Sequence, residues 1–399
     1  MIAFNLQPLA EERLTGIGFY ASNVMKGLRR EIKTPCEFHV FDFMSRNKGA
    51  SMAASHLEDC GITEGDITTV TSIPLSVYIR MGKAGRIRPY EKITSSKADL
   101  TVFFNYLAPA GVTGKRIITI YDMVCERFPE TMQGKNRRLL QRHLAASAQN
   151  ADAVVTISEF SKKEIHGILG IPEEKIFVAH CGTDTSFYRP ASDEEERSAD
   201  KKTSDELTGG GRYILYVGTL EPRKNIKTLV KAFGILGSKA GMEDVRLVLA
   251  GGLGWQSAST LEAIESSPLK DRIIRTGYIS QEQKRALLRN ASLFCFPSLY
   301  EGFGMPVTEA MACGTTCVIS DSSSLPEVAG GKAFTAPALD DEAYAGIFEE
   351  ILSGAAKVPS RDELIAQASS FTWEKAADVY MEAISSCGVD LNKSSNMLQ

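Results

Sequence analysis

The sequence of 399 residues has little histidine and tryptophan, no two cysteines at CxxC spacing and no long apolar runs. Its eight cysteines include no CxxC pair, so a zinc site is disfavoured and buried, reduced thiols are expected. No apolar stretch approaches the roughly 18 residues needed to span a bilayer, which argues against an integral membrane protein. No secretory signal is recognised, because the short apolar run 1–6 is soon interrupted by charged residues. We therefore expect a cytoplasmic location.

Compositional bias toward repeats or disorder is also absent, which leaves an ordinary globular protein, long enough for two domains. The net charge of -4 conceals an asymmetry. Residues 1–150 carry 20 Lys and Arg against 14 Asp and Glu, whereas the remainder carries 25 against 35. Basic clusters at 26–30, 80–88 and 135–142 could bring the first domain to the inner face of a membrane or to a phosphate-bearing lipid. The alternative is that they are solvated helix faces. No feature indicates nucleic acid as a partner.

Short apolar runs alternate with longer amphipathic ones along the whole chain, which predicts an α/β protein with two doubly wound parallel sheets. We expect a first domain over 1–189, a polar linker over 190–211 and a second domain over 212–370. A final helix within 371–392 is expected to cross back to the first domain. The predicted strands are Ile2–Asn5, Glu37–Phe43, Leu100–Asn105, Ile117–Tyr121, Ala153–Ile157, Ile176–Ala179, Tyr213–Val217, Arg246–Ala250, Arg272–Thr276, Leu293–Phe296 and Thr316–Ile319.

The segment 293–314 has the pattern of a strand, a glycine-rich loop and a helix. Gly302 and Gly304 allow a ligand to approach the loop backbone, and Pro306 suits the first position of the following helix. A loop that leads into a helix at the carboxyl end of a parallel strand directs free amides and the positive end of the helix dipole at the crevice. The segment therefore predicts an anion-binding site.

Two carboxylates, Glu301 and Glu309, flank this predicted anion site. Carboxylates repel phosphate, so we expect them to accept hydrogen bonds from hydroxyl groups on either side of a diphosphate, such as those of a sugar and a ribose. The alternative is that Glu309 only complements the helix N-terminus and that Glu301 is solvated.

A second segment, 216–225, repeats the pattern of strand, loop and helix and adds two cations, Arg223 and Lys224. Together they supply a planar fork and a point charge, which suits a diphosphate that gains negative charge as a leaving group. If both strands are parallel, both loops lie at the same edge of one sheet, and the cations then meet the carboxylates.

These motifs, with the E-x7-E element from Glu301 to Glu309 and the run 320–328, resemble the GT-B fold glycosyltransferases of family 4, a large group of retaining hexosyltransferases. The resemblance covers nearly the whole chain. It implies two Rossmann-like domains facing across a cleft, a nucleoside-diphosphate sugar as donor, and no cofactor and no metal ion.

The resemblance also implies roles for individual residues. Glu301, Arg223 and Lys224 would be catalytic, with Glu301 on the donor sugar and the two cations on the leaving diphosphate. Tyr278 would stack on the nucleotide base or, alternatively, belong to the core. The donor-binding residues would be Gly218, Thr219, Tyr278, Gly302, Phe303, Gly304, Met305 and Glu309.

On the acceptor side, the resemblance points to Gly16 and Gly18 in a first glycine loop and to Tyr121 and Asp122. Tyr121 departs from the family, because many relatives have His before this Asp. A tyrosine can donate a hydrogen bond to a sugar hydroxyl, but it is a poor base near neutral pH.

The implied reaction is transfer of a hexose, with mannose favoured, to a saccharide or a lipid-linked saccharide in bacterial polysaccharide or O-antigen synthesis. The segment that contains Asp122 and 128–130 is frequent among relatives that use GDP-mannose. Three alternatives are a dinucleotide-dependent oxidoreductase, a GT-B sugar epimerase or phosphorylase-like enzyme, and a non-catalytic GT-B protein. The first is disfavoured because neither glycine loop has the GxGxxG spacing.

Overall fold

The computed structural model describes residues 1–46, 48–81 and 87–392, and these form two α/β units. Of the described residues, the first unit contains those up to 125, those in 134–182 and those in 373–392. The second unit contains 126–133 and 183–372, so the units divide seven residues before the predicted boundary at 189. Within these described ranges, no helix is long and apolar enough to cross a membrane.

Strands and helices largely alternate along the chain, with short 3-10 turns between some of them. The strands are β1 (Ile2–Asn5), β2 (Cys36–Phe41), β3 (Ile67–Val70), β4 (Leu100–Phe103), β5 (Lys115–Thr119), β6 (Ala153–Thr156), β7 (Ile176–Val178), β8 (Tyr213–Val217), β9 (Arg246–Ala250), β10 (Ile273–Gly277), β11 (Leu293–Phe296), β12 (Cys317–Ser320) and β13 (Phe334–Ala336). The helices are α1 (Gly16–Glu31), α2 (Gly49–Ser55), α3 (Leu75–Met81), α4 (Tyr90–Thr94), α5 (Val124–Arg127), α6 (Gly134–Gln149), α7 (Glu159–Leu169), α8 (Glu194–Thr208), α9 (Ile226–Leu236), α10 (Ala258–Glu265), α11 (Gln281–Asn290), α12 (Met305–Ala312), α13 (Leu325–Ala329), α14 (Asp341–Leu352), α15 (Arg361–Ser369) and α16 (Trp373–Ser386).

Each unit contains one parallel sheet, as the sequence predicts. The first sheet has the order β3-β2-β1-β4-β5-β6-β7 and the second the order β10-β9-β8-β11-β12-β13. Central strands such as β8 and β11 are buried along their whole length, because helices cover both faces of a parallel sheet. Two edge strands, β3 and β13, were missed from the sequence, since each exposes a threonine in place of a continuous apolar run.

The strand orders locate a topological switch point in each sheet. In the first unit, successive strands run outward from β1 to β3, and the chain then returns to β4 on the other side of β1. In the second unit the same reversal separates β8 from β11, which pair in parallel. Loops at the carboxyl ends of the two strands at a switch point diverge and leave a crevice between them. The crevice of the second unit therefore lies between the loops that follow β8 and β11.

The last helix, α16, packs within the first unit. A Cβ atom at Gly27 of α1 would lie 2.6 Å from the Cβ of Ala377, so the two helices approach as closely as a glycine allows. Tyr380 of α16 also lies with its hydroxyl 2.6 Å from the Thr119 hydroxyl at the end of β5.

The predicted linker at 190–211 is wrong over most of its length, because 194–208 form the helix α8. The Asp193 carboxylate caps this helix by accepting a hydrogen bond from the Glu196 amide at 2.8 Å. Asp200, which is 6% exposed, and Glu196 both pair with Arg289 of α11. Charge pairing with a distant helix therefore replaces the apolar face that the sequence lacks.

Candidate active site

The loops after β8 and β11 meet at the switch point of the second unit, as the sequence predicts for Arg223, Lys224 and Glu301. The Leu299 amide donates to the Arg223 carbonyl at 2.9 Å, and an Arg223 guanidinium nitrogen donates to the Tyr300 carbonyl at 2.7 Å. The two loops are therefore joined by one bond between backbones and by one bond from the Arg223 side chain to a backbone carbonyl.

The Glu301 carboxylate lies between two cations. Its oxygens are 3.0 Å from an Arg223 nitrogen and 2.6 Å from Lys224 Nζ, and its side chain is only 8% exposed. Arg223 also pairs with Glu221 at 3.0 Å. The cluster therefore combines two cations and two carboxylates and is ionised yet nearly neutral overall.

The pKa values in this cluster follow from burial and from unequal numbers of opposite charges. Burial alone would raise the pKa of the Glu301 carboxyl, but the charges of Lys224 and Arg223 outweigh it and lower this pKa to about 2. Burial, helped by the charge of Arg223, lowers the pKa of Lys224 against the attraction of Glu301. The charged form of Glu301 is therefore stabilised more than the charged form of Lys224, because the carboxylate faces two cations.

Backbone geometry places the loop that carries Glu301. Its amide donates to Ser323 Oγ at 2.9 Å, and Ser324 Oγ lies 3.1 Å from the Glu301 carbonyl and 2.9 Å from that of Phe303. Gly304 precedes α12 with φ of 106°, and a Cβ there would lie 2.6 Å from Leu325 Cδ2. The loop therefore requires glycine at Gly304, and the two serines are positioning residues that we did not predict from the sequence.

Glu309 lies in α12 with a cation as its partner. Lys284 Nζ of α11 is 2.8 and 2.9 Å from the two carboxylate oxygens, and both side chains are largely buried. Lys284 Nζ also lies 4.9 Å from the centre of the Tyr188 ring. Both alternatives for Glu309, a hydroxyl acceptor or a partner of the helix N-terminus, omitted this lysine, because it lies 25 residues away along the chain.

The loop after β8 also contains the predicted donor-binding residues Gly218 and Thr219. Gly218 has φ of 152°, and a Cβ there would lie 2.7 Å from Tyr216 Oη. A Cβ at Gly251, just after β9, would lie 2.1 Å from the Gly218 carbonyl oxygen. The loops after β8 and β9 are therefore in backbone contact, which only glycine permits at these positions.

A cavity of about 650 Å³ opens beside these loops, at the ends of β9 and β10. Tyr278, which follows Gly277, is 78% exposed, so the alternative of a core tyrosine is excluded. Charged side chains line part of the cavity wall. Its lining comprises Leu220, Gly251, Gly252, Leu253, Ile264, Glu265, Lys270, Asp271, Ile273, Arg275, Thr276 and Gly277.

The remaining predicted donor-binding residues of the loop after β11 differ in burial. Phe303 is 2% exposed and its ring lies edge-on to Phe371 at 5.2 Å, so its side chain is buried and packs against another ring. Met305 begins α12 and is partly exposed, and Gly302 is buried within the loop. A ligand would therefore meet the backbone of this loop, as the sequence predicts, more than its side chains.

The predicted acceptor-side residues lie in the first unit. Gly16 begins α1, and a Cβ at Gly18 would lie 2.6 Å from the Pro8 carbonyl oxygen. Asp122 Oδ1 accepts hydrogen bonds from Tyr106 Oη at 3.0 Å and from the Val124 amide at 3.1 Å. These contacts fix the Asp122 carboxylate beside the end of β5.

Tyr121 is buried, with 5% of the residue exposed. Its hydroxyl donates to the Phe104 carbonyl at 3.2 Å, and its ring lies edge-on to Tyr20 at 5.4 Å. Burial raises the pKa of Tyr121 well above its ordinary value, so the phenol stays protonated. The hydroxyl is thus already engaged by a backbone carbonyl, and the role of Tyr121 toward a sugar hydroxyl stays a prediction.

Comparison with known proteins places these loops in a family context. Residues 16–187 match the family "Glycosyltransferase Family 4" and residues 198–385 match "Glycosyl transferases group 1". The chain is 30% identical over 381 residues to the O-antigen chain mannosyltransferase B of Escherichia coli, covering 94% of this chain and 96% of the relative. It is 25% identical over 368 residues to the serotype-specific mannosyltransferase WbdA of the same species, covering 90% of this chain and 43% of WbdA.

Solved structures share the fold at low sequence identity. HepE of Anabaena, determined in complex with UDP and glucose, has a TM-score of 0.71 at 18% identity and covers 96% of this chain and 99% of its own. Sucrose-phosphate synthase of Thermosynechococcus elongatus has the same TM-score at 19% identity, with coverage of 96% and 99%.

Proposed function

The chain belongs to the family 4 glycosyltransferases, and on that premise we propose that it transfers mannose from GDP-mannose to a saccharide or lipid-linked saccharide, with retention at the anomeric carbon. The observation that carries the proposal is the Glu301 carboxylate held between Arg223 and Lys224 at a sheet switch point. The names of the mannosyltransferase relatives support mannose and an O-antigen or similar polysaccharide as product.

The donor's diphosphate would take the place of Glu301 as the partner of the two cations. Arg223 and Lys224 contact Glu301, which comes four residues before the start of α12, and free amides and the helix dipole at that start also favour an anion. As the diphosphate pairs with the cations, the Glu301 carboxylate is released from them. It then becomes available to accept hydrogen bonds from hydroxyls of the donor sugar.

The chemistry then needs positioning and charge stabilisation. The bond between the sugar C1 and the diphosphate oxygen breaks, and its electron pair leaves with the diphosphate. The acceptor oxygen forms the new bond to C1 on the same face, and the leaving phosphate oxygen takes the acceptor's proton. Arg223 and Lys224 stabilise the charge that develops on the diphosphate. Stabilisation of developing charge by fixed groups is usually the largest single term in enzymatic rate enhancement. Because these side chains supply the positive charge, we also propose that transfer needs no metal ion and no cofactor.

The nucleotide base is assigned to the cavity beside Gly277 and Tyr278, where an exposed ring can stack. A thermal-shift series with GDP, UDP and ADP tests the choice of base. A ligand at 100 times its dissociation constant stabilises a protein by about 2.7 kcal/mol. We expect GDP to raise the unfolding temperature most, and a larger shift with UDP would replace the proposed donor.

Turnover is tested with GDP-mannose and a synthetic mannose oligosaccharide, with products identified by mass spectrometry and the new linkage by NMR. We expect one added mannose in α linkage, release of GDP, and no change on treatment with EDTA. Glu301→Gln and Lys224→Ala should each lower kcat about 100-fold or more, by analogy with the removal of one group that stabilises developing charge. The matched controls Glu349→Gln and Lys239→Ala break a more exposed ion pair of the same unit and should leave kcat unchanged.

The same assay separates the alternatives. An epimerised sugar nucleotide or a sugar phosphate would support an epimerase or phosphorylase-like enzyme. Binding of GDP without transfer or donor hydrolysis would support a non-catalytic protein. We further propose that the chain acts in the cytoplasm at the inner face of a membrane, through its basic first domain.

A further inference from the structure

The first unit contains a second cavity, separate from the loops described above. It has a volume of about 260 Å³ and lies between α3 and α6. Arg80 of the basic cluster at 80–88 and several residues of the cluster at 135–142 contribute to it, and 82–86 of the first cluster lie outside the described residues. The lining, which we call the cationic pocket, consists of Arg80, Lys135, Arg138, Leu139, Arg142 and His143. No Asp or Glu is among these residues.

Three cations of this pocket lack, within the part of the chain that the structure describes, the counter-charges that other arginines have. Within the described residues, no carboxylate forms an ion pair with Arg80, Lys135 or Arg142, whereas Arg223 and Arg289 are each paired twice. The sequence of α6 contains no Asp or Glu over its whole length. An anion is therefore the missing partner of this pocket.

The placement of these cations on α6 is unfavourable for the helix itself. Lys135 and Arg138 lie in the first two turns, where the helix dipole disfavours positive charge. Arg138 and Arg142 are four residues apart on one face, where like charges repel. A bound anion removes both penalties, which gives a physical reason for the cluster beyond solvation of a helix face.

Exposed apolar side chains lie on the same helix as Arg80 and on the neighbouring loop. Val77 and Met81 are 39% and 41% exposed and lie one turn apart on α3. Phe43 and Met44, at 41% and 58%, follow β2. The Met44 amide donates to the Thr71 carbonyl at 3.0 Å, in the loop that leads to α3. Among the described residues of the first unit, these four are the large apolar side chains that are exposed.

We propose that the cationic pocket binds the phosphate headgroup of an anionic membrane lipid, with Phe43, Met44, Val77 and Met81 inserted into the adjacent interfacial layer. Unpaired cations beside exposed apolar side chains match the two parts of such a surface, its negative charge and its apolar interior. This inference names the site of the membrane contact proposed above and rests on that part of the proposed function. It is independent of the donor chemistry.

The test measures binding of the full chain, without donor, to sedimented vesicles of phosphatidylcholine with or without about 30% phosphatidylglycerol. We expect binding only when phosphatidylglycerol is present. The double variant Arg138→Gln with Arg142→Gln should bind about 30-fold more weakly, since each basic residue near an anionic surface contributes about a fivefold factor. The charge-matched control, Arg29→Gln with Arg30→Gln at the end of α1, should bind within about threefold of the wild type.

The apolar side chains are tested by Val77→Ser with Met81→Ser. We expect about tenfold weaker vesicle binding and unchanged binding of inorganic pyrophosphate, because only the lipid offers an apolar layer. Pyrophosphate binding is measured in the Lys224→Ala background, which weakens the diphosphate site proposed in the second unit. Circular dichroism establishes that each variant is folded, and transfer to a water-soluble mannose oligosaccharide should stay within about twofold of the wild type.

Three results would overturn the inference. Equal losses in the α1 control would assign binding to net charge and not to the pocket. Full vesicle binding by the serine variant would count against the lipid. If, in the Lys224→Ala background, pyrophosphate binding is also lost when Arg138 and Arg142 are replaced, the pocket belongs to a free phosphate compound. Failure of the wild type to distinguish the two vesicle types would remove the site altogether. If transfer fails while vesicle binding persists, the proposed reaction is wrong and the lipid site stands.

Discussion

Replacing Glu301 by glutamine tests the central ion cluster, because the substitution removes a charge and keeps the shape. The pKa of Glu301 falls from its ordinary value of 4.5 to about 2 in the folded chain. Linkage converts that difference to about 3 kcal/mol of unfolding free energy at neutral pH. Glu301→Gln should therefore lower the free energy of unfolding by about 3 kcal/mol at pH 7. The exposed pair at Glu349 should lose no more than about 1 kcal/mol in the matching variant.

The sign of the pH dependence follows from the lowered pKa. A carboxyl group whose folded pKa is depressed contributes its stability above its ordinary pKa and loses it as the pH falls toward the folded value. The gap between the wild type and Glu301→Gln should thus shrink from about 3 kcal/mol at pH 7 to about 1 kcal/mol at pH 3. Urea unfolding followed by fluorescence measures this gap. Trp255 reports on the second unit and Trp373 on the first. A gap below 1 kcal/mol at pH 7, or one independent of pH, would refute the reasoning.

The same variant should bind free GDP more tightly than the wild type does. In the empty site, Glu301 competes with the diphosphate for Arg223 and Lys224. Removing that competition should lower the Kd for GDP about tenfold while kcat falls, because a close like charge is worth about 1 kcal/mol or more near a protein surface. Calorimetric titration measures the Kd. Weaker GDP binding would mean that the carboxylate assists the diphosphate instead of competing with it.

Three further predictions concern substitutions at single positions. Lys284→Met should weaken donor binding, with a rise in Kd of at least tenfold, because it leaves the largely buried Glu309 carboxylate without its cation; an unchanged Kd would remove Glu309 from the donor site. Gly304→Ala should lower the unfolding free energy by about 1 kcal/mol or more, whereas Gly346→Ala, inside α14 with no atom within 4 Å, should be neutral or raise it, as urea titration can establish. Tyr121→Phe should keep kcat within about threefold, since its hydroxyl is already engaged by a backbone carbonyl, and a loss of about 100-fold would show that it reaches the substrate.

The sequence predicts local features of the fold well where one short segment determines them. The buried strands are continuous apolar runs, and the glycine loops after β8 and β11 have recognisable turn and capping residues. Parallel pairing of β8 with β11 then brings Arg223 and Lys224 to Glu301 without further information. The core of the candidate site could therefore be predicted from these two segments alone.

Features that depend on pairing between distant segments could not be predicted. The helix α8 has few apolar residues, and its stability comes from Arg289, which lies 89 residues after Asp200. Lys284 is one of many lysines in the sequence, and only the packing of α11 beside α12 identifies it as the partner of Glu309. The partner of Tyr121 could not be predicted either, because its hydroxyl donates to the carbonyl of Phe104, which lies 17 residues earlier in the chain.

The backbone contact between Gly218 and Gly251 constrains how donor preference can change during evolution or engineering. A side chain at either glycine would collide with the other loop or with Tyr216, so neither loop can be altered there alone. If only the loop after β8, or only the loop after β9, were replaced by that of a relative, the new loop would not fit the one that it must contact. The two loops form a single exchangeable module, and grafts that transfer both should remain folded where single-loop grafts fail.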